Sequence, residues 1–195
     1  TPEVPKNPDF KVSTVYYQVE NGHDRDGLGS EENYFWKTAK ERNEFGDVVS
    51  FDPGENLHKS GILRTTTVPS KIPNRLQIDS ILIAGKIANA LKYIGVLAVE
   101  LFLLQDKQLI INEIAPRVHN SGHWTQNGCA IDQFEQHIRA IVGGKLGDGK
   151  RHSNVTMVNI IGDQIKTASD NVNAAVHLYG KKDVREGRKM GHINY

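Results

Sequence analysis

Glu100 and Glu113 lie in two apolar runs separated by a short polar stretch, Gln105 to Gln108. A hairpin turning at Asp106 and Lys107 pairs residues whose numbers sum to 213, so Leu104 faces Leu109 and Glu100 faces Glu113. Side chains directly opposed on antiparallel strands sit about 5 Å apart, and like charges there are destabilising. Leu97, Val99, Leu101, Ile110, Ile111 and Ile114 flank the pair and would keep water from it. A shared proton, with one pKa raised, is one remedy. A divalent cation is the other. Two carboxylates with the Asn112 carbonyl are hard oxygen donors suited to magnesium, which usually binds a few carboxylates plus substrate phosphates. The plainer reading turns one glutamate to solvent or onto a lysine.

The stretch after the second glutamate, Ile114 to Thr125, is dense in bases, amides and hydroxyls, although it follows an apolar run. Polar groups at the end of a buried strand are costly unless paired, so a ligand is expected to face them. Arg117, fixed behind Pro116, can stabilise a phosphoryl or acyl-phosphate group. A salt bridge to Glu113 competes with that role. His119 and His123 are four apart, but Asn120-Ser121-Gly122 between them disfavours a helix and no glutamate follows His119, so a zinc site is weakly supported. Asn120, Ser121 and Gly122 form a loop able to offer backbone N–H groups to an anion. The tail carries Lys181, Lys182, Arg185, Arg188 and Lys189, either a solvated face or a phosphate-binding edge. Neither a P-loop lysine motif nor a dinucleotide glycine fingerprint occurs. Cys129 has no evident catalytic partner and reads as a buried thiol.

The elements that must carry these residues alternate in type. Val12–Val19, Asp47–Phe51, Gly61–Val68, Val96–Leu104, Leu109–Ala115 and Val155–Ile161 read as strands. Leu76, Ile83, Ile87, Leu91 and Ile94 recur at helical spacing before Gly95. A second helix is expected over Ile131–Val142, with Ile131, Phe134, Ile138 and Ile141 as its buried stripe and Gly143-Gly144 as its stop. Gly22–Asn43 reads as loop or short helix, and Lys145–Ser153 as a polar linker. Glu20-Asn21-Gly22-His23 weakly echoes Glu55-Asn56-Leu57-His58. The mixture is of the α+β class.

Composition narrows the field. Among 195 residues, 24 Lys plus Arg balance 23 Asp plus Glu, which argues against nucleic-acid or membrane-surface binding. The single cysteine excludes an internal disulfide framework and favours a reducing, cytoplasmic setting. No apolar run is long enough for a membrane span, and Thr1 to Phe10 does not read as a signal-peptide pattern. The lack of an initiator methionine and the abrupt C-terminus suggest a fragment or processed product.

Several separate runs resemble one family in order and spacing. They are Asn112 to Gly128, Gln133 to Ile141, Glu55-Asn56-Leu57-His58 with Gly61-Ile62-Leu63, His177 to Lys181, and Gly187 to His192. Together they resemble the N5-carboxyaminoimidazole ribonucleotide synthetases of the ATP-grasp superfamily over about Asp47 to Asn194. The resemblance implies the C-terminal half of an ATP-grasp domain, with antiparallel sheet and packed helices, followed by a small mixed subdomain. Residues 1–46 are poorly assigned, 47–143 would be the ATP-grasp part and 144–195 the small domain. It implies ATP-dependent carboxylation of 5-aminoimidazole ribonucleotide with bicarbonate, through carboxyphosphate, in purine biosynthesis. It implies ATP and Mg2+ as cofactors, a homodimer and a cytoplasmic location. Glu100 and Glu113 would hold magnesium. His58, Asn112 and Glu113 would contact ATP, and Arg117 would stabilise carboxyphosphate. His119, Asn120, Ser121, Lys181 and Arg188 would bind substrate. The family's N-terminal parts have no counterpart here, so the chain alone could be inactive. A non-catalytic nucleotide-binding or assembly module, or another ATP-grasp carboxylate-amine ligase, is the alternative.

Overall fold

The structure is a computed structural model that describes residues 11–19, as a backbone strand, and residues 48–195. The expectations for Gly22–Asn43 and for the first copy of the Glu-Asn echo lie outside the described residues. Strands β1 (Lys11–Val19), β2 (Val48–Ser50), β3 (Gly54–Lys59) and β4 (Ile62–Val68) precede helix α1 (Asn74–Ala90). Strands β5 (Gly95–Leu103) and β6 (Leu109–Ala115) follow, then a 3-10 turn (Asn120–Gly122) and a short helix α2 (Thr125–Gly128). Helix α3 (Gln133–Ile141), β7 (Val155–Ile161), a 3-10 segment (Gly162–Asp170), β8 (Ala175–Leu178) and β9 (Lys189–Asn194) complete the chain.

All nine described strands join one sheet, ordered β6-β5-β1-β3-β4-β7-β9-β8, with β2 beside β1. Every pairing is antiparallel. The α+β expectation holds. Three strands were not foreseen. β3 is Gly-Glu-Asn-Leu-His-Lys, too polar to read as a strand, and β8 and β9 lie in the His-rich and basic tail.

Strand β5 is buried on both faces, which explains its unbroken apolar run. Val96 and Ala98 join a cluster with Phe51, Leu63, Val68, Ala115, Trp124 and Met157. Leu97, Val99 and Leu101 face the other way, against Ala84 and Ala88 of α1. Helix α1 was expected to bury Leu76, Ile83, Ile87, Leu91 and Ile94. Instead Ser80, Ala84, Gly85 and Ala88 form its buried face, while Leu91 and Ile94 are exposed. Small side chains let the helix lie close to the sheet. Ile83 and Ile87 pack at the rim of that contact.

Helix α3 departs further. Its expected stripe is largely outward: Phe134, Ile138 and Ile141 are exposed. Its buried face is Gln133, Gln136 and Ala140. This inversion works because both glutamines are paired. Gln136 donates to the Gly147 carbonyl at 3.1 Å and accepts from the Gly147 N–H at 2.8 Å. Asp132 caps the helix, accepting from the N–H groups of Phe134 at 2.8 Å and Glu135 at 3.0 Å. The same contacts remove the expected free linker over Lys145–Ser153. Leu146 is buried, and Arg151 pairs with Asp52 and bridges to Cys129. Gly149 sits at φ +68, where a Cβ would lie 2.6 Å from the Ser50 carbonyl oxygen. None of the described helices is long and apolar enough to cross a membrane.

Candidate functional site

The β5–β6 hairpin sets the acidic pair, but not by uniform counting. Near the turn the strands pair as Leu103 with Leu109, Phe102 with Ile110 and Leu101 with Ile111. The Leu104–Leu109 pairing expected from the sequence is therefore replaced by a longer loop, in which Leu104 N–H donates to the Gln108 carbonyl at 2.9 Å. A bulge then absorbs Asn112, and Glu100 faces Glu113. Strict alternation from Leu109 and Ile111 would have put Glu113 on the α1 side of the sheet. The extra residue turns it to the side of Glu100.

Both acids meet His119. Glu113 Oε1 lies 3.1 Å from His119 Nε2, and Glu100 Oε1 lies 3.8 Å from His119 Nδ1. A carboxylate only accepts, so Nε2 carries the proton and donates to Glu113. His119 Nδ1 is then open to the Ser121 hydroxyl, 2.8 Å away. Glu100 is 5% exposed, and the Glu113 side chain is half exposed. Around Glu100, Asn56 Nδ2 approaches Oε1 at 3.5 Å and Asn112 Nδ2 approaches Oε2 at 3.4 Å. Thr66 in turn donates to Asn56 at 2.7 Å. The acid of lowest exposure is thus surrounded by amides, while its half-exposed partner can reach a ligand.

The loop beyond β6 is fixed on the strands of the C-terminal region. Asn120 and Asn159 of β7 exchange two amide hydrogen bonds, at 2.7 and 2.8 Å. Asn194 of β9 donates to the His123 carbonyl at 3.1 Å and to Asn127 at 2.7 Å. His177 of β8 meets Asn127 at 2.9 Å. Tyr179, hydrogen-bonded to Asn120, has its hydroxyl pushed up to about 12 by burial, an effect that bond opposes.

His58, Asn112, Glu113, His119, Asn120 and Ser121 therefore gather on one side of the sheet with Glu100. Burial pulls the His58 pKa down, Lys189 adds to this, and Glu113 opposes it. His58 Nδ1 is buried without a hydrogen-bond partner. Arg117 is exposed and donates to the Val118 carbonyl at 2.9 Å rather than to Glu113. Lys181 donates to the Lys189 carbonyl at 2.7 Å and lies 5.3 Å over the Tyr179 ring. Arg188 is tethered to Asp183, through its carbonyl at 3.1 Å and its carboxylate at 3.8 Å, and is not drawn onto the acidic pair.

Besides Asn159 and Asn194, which anchor the loop, two further participants escaped the sequence reading. Lys189 is half-buried, and burial lowers its pKa while Glu100 and Glu113 favour its charge. In sequence it was one of five tail cations, and only its position at the start of β9 separates it from them. Gln133 joins the loop to α3, and a glutamine at a helix start carries no such signal. His123 Nδ1 faces Gln133 and His119 Nε2 faces Glu113, and no group of three or more His, Cys, Asp or Glu able to hold a metal occurs among the described residues. The neighbouring amides turn their N–H groups to Glu100, so the Asn112 oxygen expected from the sequence is not at the pair, and the two opposed carboxylates alone suit a cation that keeps waters and substrate oxygens, as magnesium does.

The sheet, with its acidic pair on a hairpin opposite a polar loop, matches proteins of the ATP-grasp class. The ATP-grasp domain family matches residues 39–134, and the phosphoribosylaminoimidazole carboxylase C-terminal domain matches residues 155–195. The chain belongs to the N5-carboxyaminoimidazole ribonucleotide synthase family, of which it spans a C-terminal portion. It is 52% identical over 155 residues to the N5-carboxyaminoimidazole ribonucleotide synthase of Brucella melitensis, covering 78% of this chain and 43% of that protein. A crystal structure of an ADP complex of an N5-carboxyaminoimidazole ribonucleotide synthetase matches with TM-score 0.78 at 36% identity, over 98% of this chain and 45% of that one. The Aspergillus clavatus enzyme in complex with ADP and 5-aminoimidazole ribonucleotide matches with TM-score 0.74 at 28% identity, over 95% of this chain and 46% of that one. The chain thus spans about two fifths of the length of the curated relatives it matches.

Proposed function

We propose that these residues form the acid-bearing half of a ligase that carboxylates 5-aminoimidazole ribonucleotide with bicarbonate at the expense of ATP, in a cytoplasmic homodimer. The observation that carries the reading is the register of Glu100 against Glu113, with both acids turned to the loop that holds His119, Asn120 and Ser121. Residues 47–143 are read as the ATP-grasp part and 144–195 as the smaller C-terminal unit.

Glu100 and Glu113 would hold magnesium, which when bound neutralises phosphate oxygens and supplies Lewis acidity to the transferring phosphoryl group. Asn56 and Asn112 keep the Glu100 carboxylate oriented. His58 and Asn112 border the nucleotide. The terminal phosphoryl passes to a bicarbonate oxygen, giving carboxyphosphate and ADP. The exocyclic amine then attacks the carboxyl carbon, and phosphate leaves. Arg117, free on its outer side, supplies positive charge as that group forms and departs. Lys181 and Arg188 are assigned to the ribonucleotide phosphate, with His119, Asn120 and Ser121 as the wall beside it. Positioning and charge neutralisation carry the chemistry, since phosphoryl transfer asks for little covalent help from protein.

The test is phosphate release from magnesium-ATP and bicarbonate, measured for this chain alone and joined to the N-terminal portion of the Brucella melitensis relative. Stimulation by 5-aminoimidazole ribonucleotide is expected in the joined protein. A joined protein that binds ATP but shows no stimulation rules the synthase reading out and leaves a nucleotide-binding module.

A further inference from the structure

Gln133 is fully buried, and its main-chain N–H and both side-chain polar atoms are engaged. Its main-chain N–H donates to Thr125 Oγ1 at 3.0 Å, and the Thr125 hydroxyl donates to the Gly122 carbonyl at 2.6 Å. Its side-chain Oε1 accepts from the His119 N–H at 3.0 Å, and Nε2 donates to the His119 carbonyl at 2.9 Å. The second Nε2 proton points at His123 Nδ1, 2.7 Å away.

A glutamine amide is usually ambiguous between its oxygen and nitrogen. Here the backbone removes the ambiguity. The His119 N–H can only donate and the His119 carbonyl can only accept, so Oε1 and Nε2 have one possible placement. With Nε2 fixed as donor, His123 Nδ1 must present its lone pair, and the ring proton belongs on Nε2.

We propose that Gln133 is the positioning residue of this site: it clamps the main chain at His119 and fixes His123 as a neutral Nε2–H donor, which cannot serve as a base. The groups around the ring agree. His123 stacks on Phe134 at 5.3 Å, packs against His192 at 4.8 Å and meets Tyr179 edge-on at 6.0 Å. The titratable groups facing it are His119, Lys189, His177, His192 and Tyr179. Burial, followed by His119, Lys189 and His177, lowers the His123 pKa to about 4. A ligand group meeting His123 Nε2 is therefore an acceptor oxygen, of a carboxylate, phosphate or carbonyl. Resting on the synthase reading, this means that His123 binds an oxygen of substrate and does not collect the proton released by the amine.

Long-range proton–nitrogen spectra of the imidazole-labelled chain at neutral pH decide the point, with the His123 signals identified by their loss in His123→Asn. An unprotonated Nδ1 and a protonated Nε2 are expected. In Gln133→Glu the carboxylate can only accept from the ring, so the proton should move to Nδ1 or a second proton should bind. His123 proton affinity should then rise at least about tenfold. An Nδ1–H ring or a mixed tautomer in the unmodified chain overturns the proposal, as does an unchanged His123 in Gln133→Glu. Should that variant not fold, the unmodified spectrum still decides. The spectrum is independent of turnover, so the expected tautomer in a joined protein without ribonucleotide-stimulated hydrolysis would sink the synthase reading alone.

Discussion

Glu113 has two relations to its surroundings that can be separated by substitution. Its half-exposed carboxylate accepts from His119, and it stands opposite the buried Glu100. Glu113→Gln keeps the shape and can still accept from His119, but removes the charge a cation needs. In the joined protein this change should weaken magnesium-nucleotide binding at least about tenfold by calorimetric titration. The thermal midpoint should shift by no more than about 2 °C, since half-exposed substitutions rarely disturb packing. Equal nucleotide affinity with and without the charge would remove the metal role. At this scale the sequence was legible where chemistry is local. The acidic pair and Asn112 beside it could be read from residue types, whereas Asn56 and a site role for His119 entered only with the family resemblance. Lys189 and Gln133 could not, because their importance comes from strands and helices that bring distant segments together. Counting from a tight turn predicts the Glu100–Glu113 pairing. The chain arrives at the same pair through a longer loop and a bulge at Asn112, two departures that cancel.

Helix α3 shows why periodicity misled at the scale of elements. Ile138 and Ile141 recur at the spacing of a buried face, yet they are exposed, and the polar edge is inside. Apolar periodicity reports which face is greasy, and not whether amide pairing can make the other face the buried one. The two readings predict opposite substitution effects. Ile138→Lys should cost no more than about 0.5 kcal/mol in urea unfolding. Gln136→Leu should cost about 1–3 kcal/mol, because it strands the Gly147 N–H and carbonyl. The reverse order would restore the apolar stripe as the packed face. Helix α1 teaches the same lesson more mildly: its contact is made by Ala84, Gly85 and Ala88, which a hydrophobic stripe passes over. The strands β5, β6 and β7 were legible because both of their faces or their alternation are apolar. β3 was not, since Asn56 and His58 turn to the site and Glu55 accepts from the Lys71 N–H, so none of the three reads as core.

At the scale of the whole molecule, three imidazoles lie in a row. His177 stacks on His192 at 4.5 Å, and His192 packs on His123 at 4.8 Å. Burial, with His123 and His177 adding to it, lowers the His192 pKa to about 3. Unfolding returns these rings to about 6.5, so below that pH the unfolded chain takes up protons that the folded chain refuses. Stability should be complete above about pH 6.5 and should fall as the pH drops toward the folded values near 4 and 3. His123 alone accounts for a loss on the order of 3 kcal/mol across that window. Denaturant midpoints measured from about pH 7.5 to about pH 4.5 test this, and a flat profile would show that the row tolerates charge.

The loop from His119 to Asn127 is tied to β7, β8 and β9 by Asn159, His177 and Asn194, and to α3 by Gln133. Anchored on so many sides, it is shaped before a guest arrives. Ordering costs at this wall are met when the polypeptide folds, and an arriving molecule loses mainly its own freedom. Discrimination must then come from contour, with misfits turned away by a surface that does not yield.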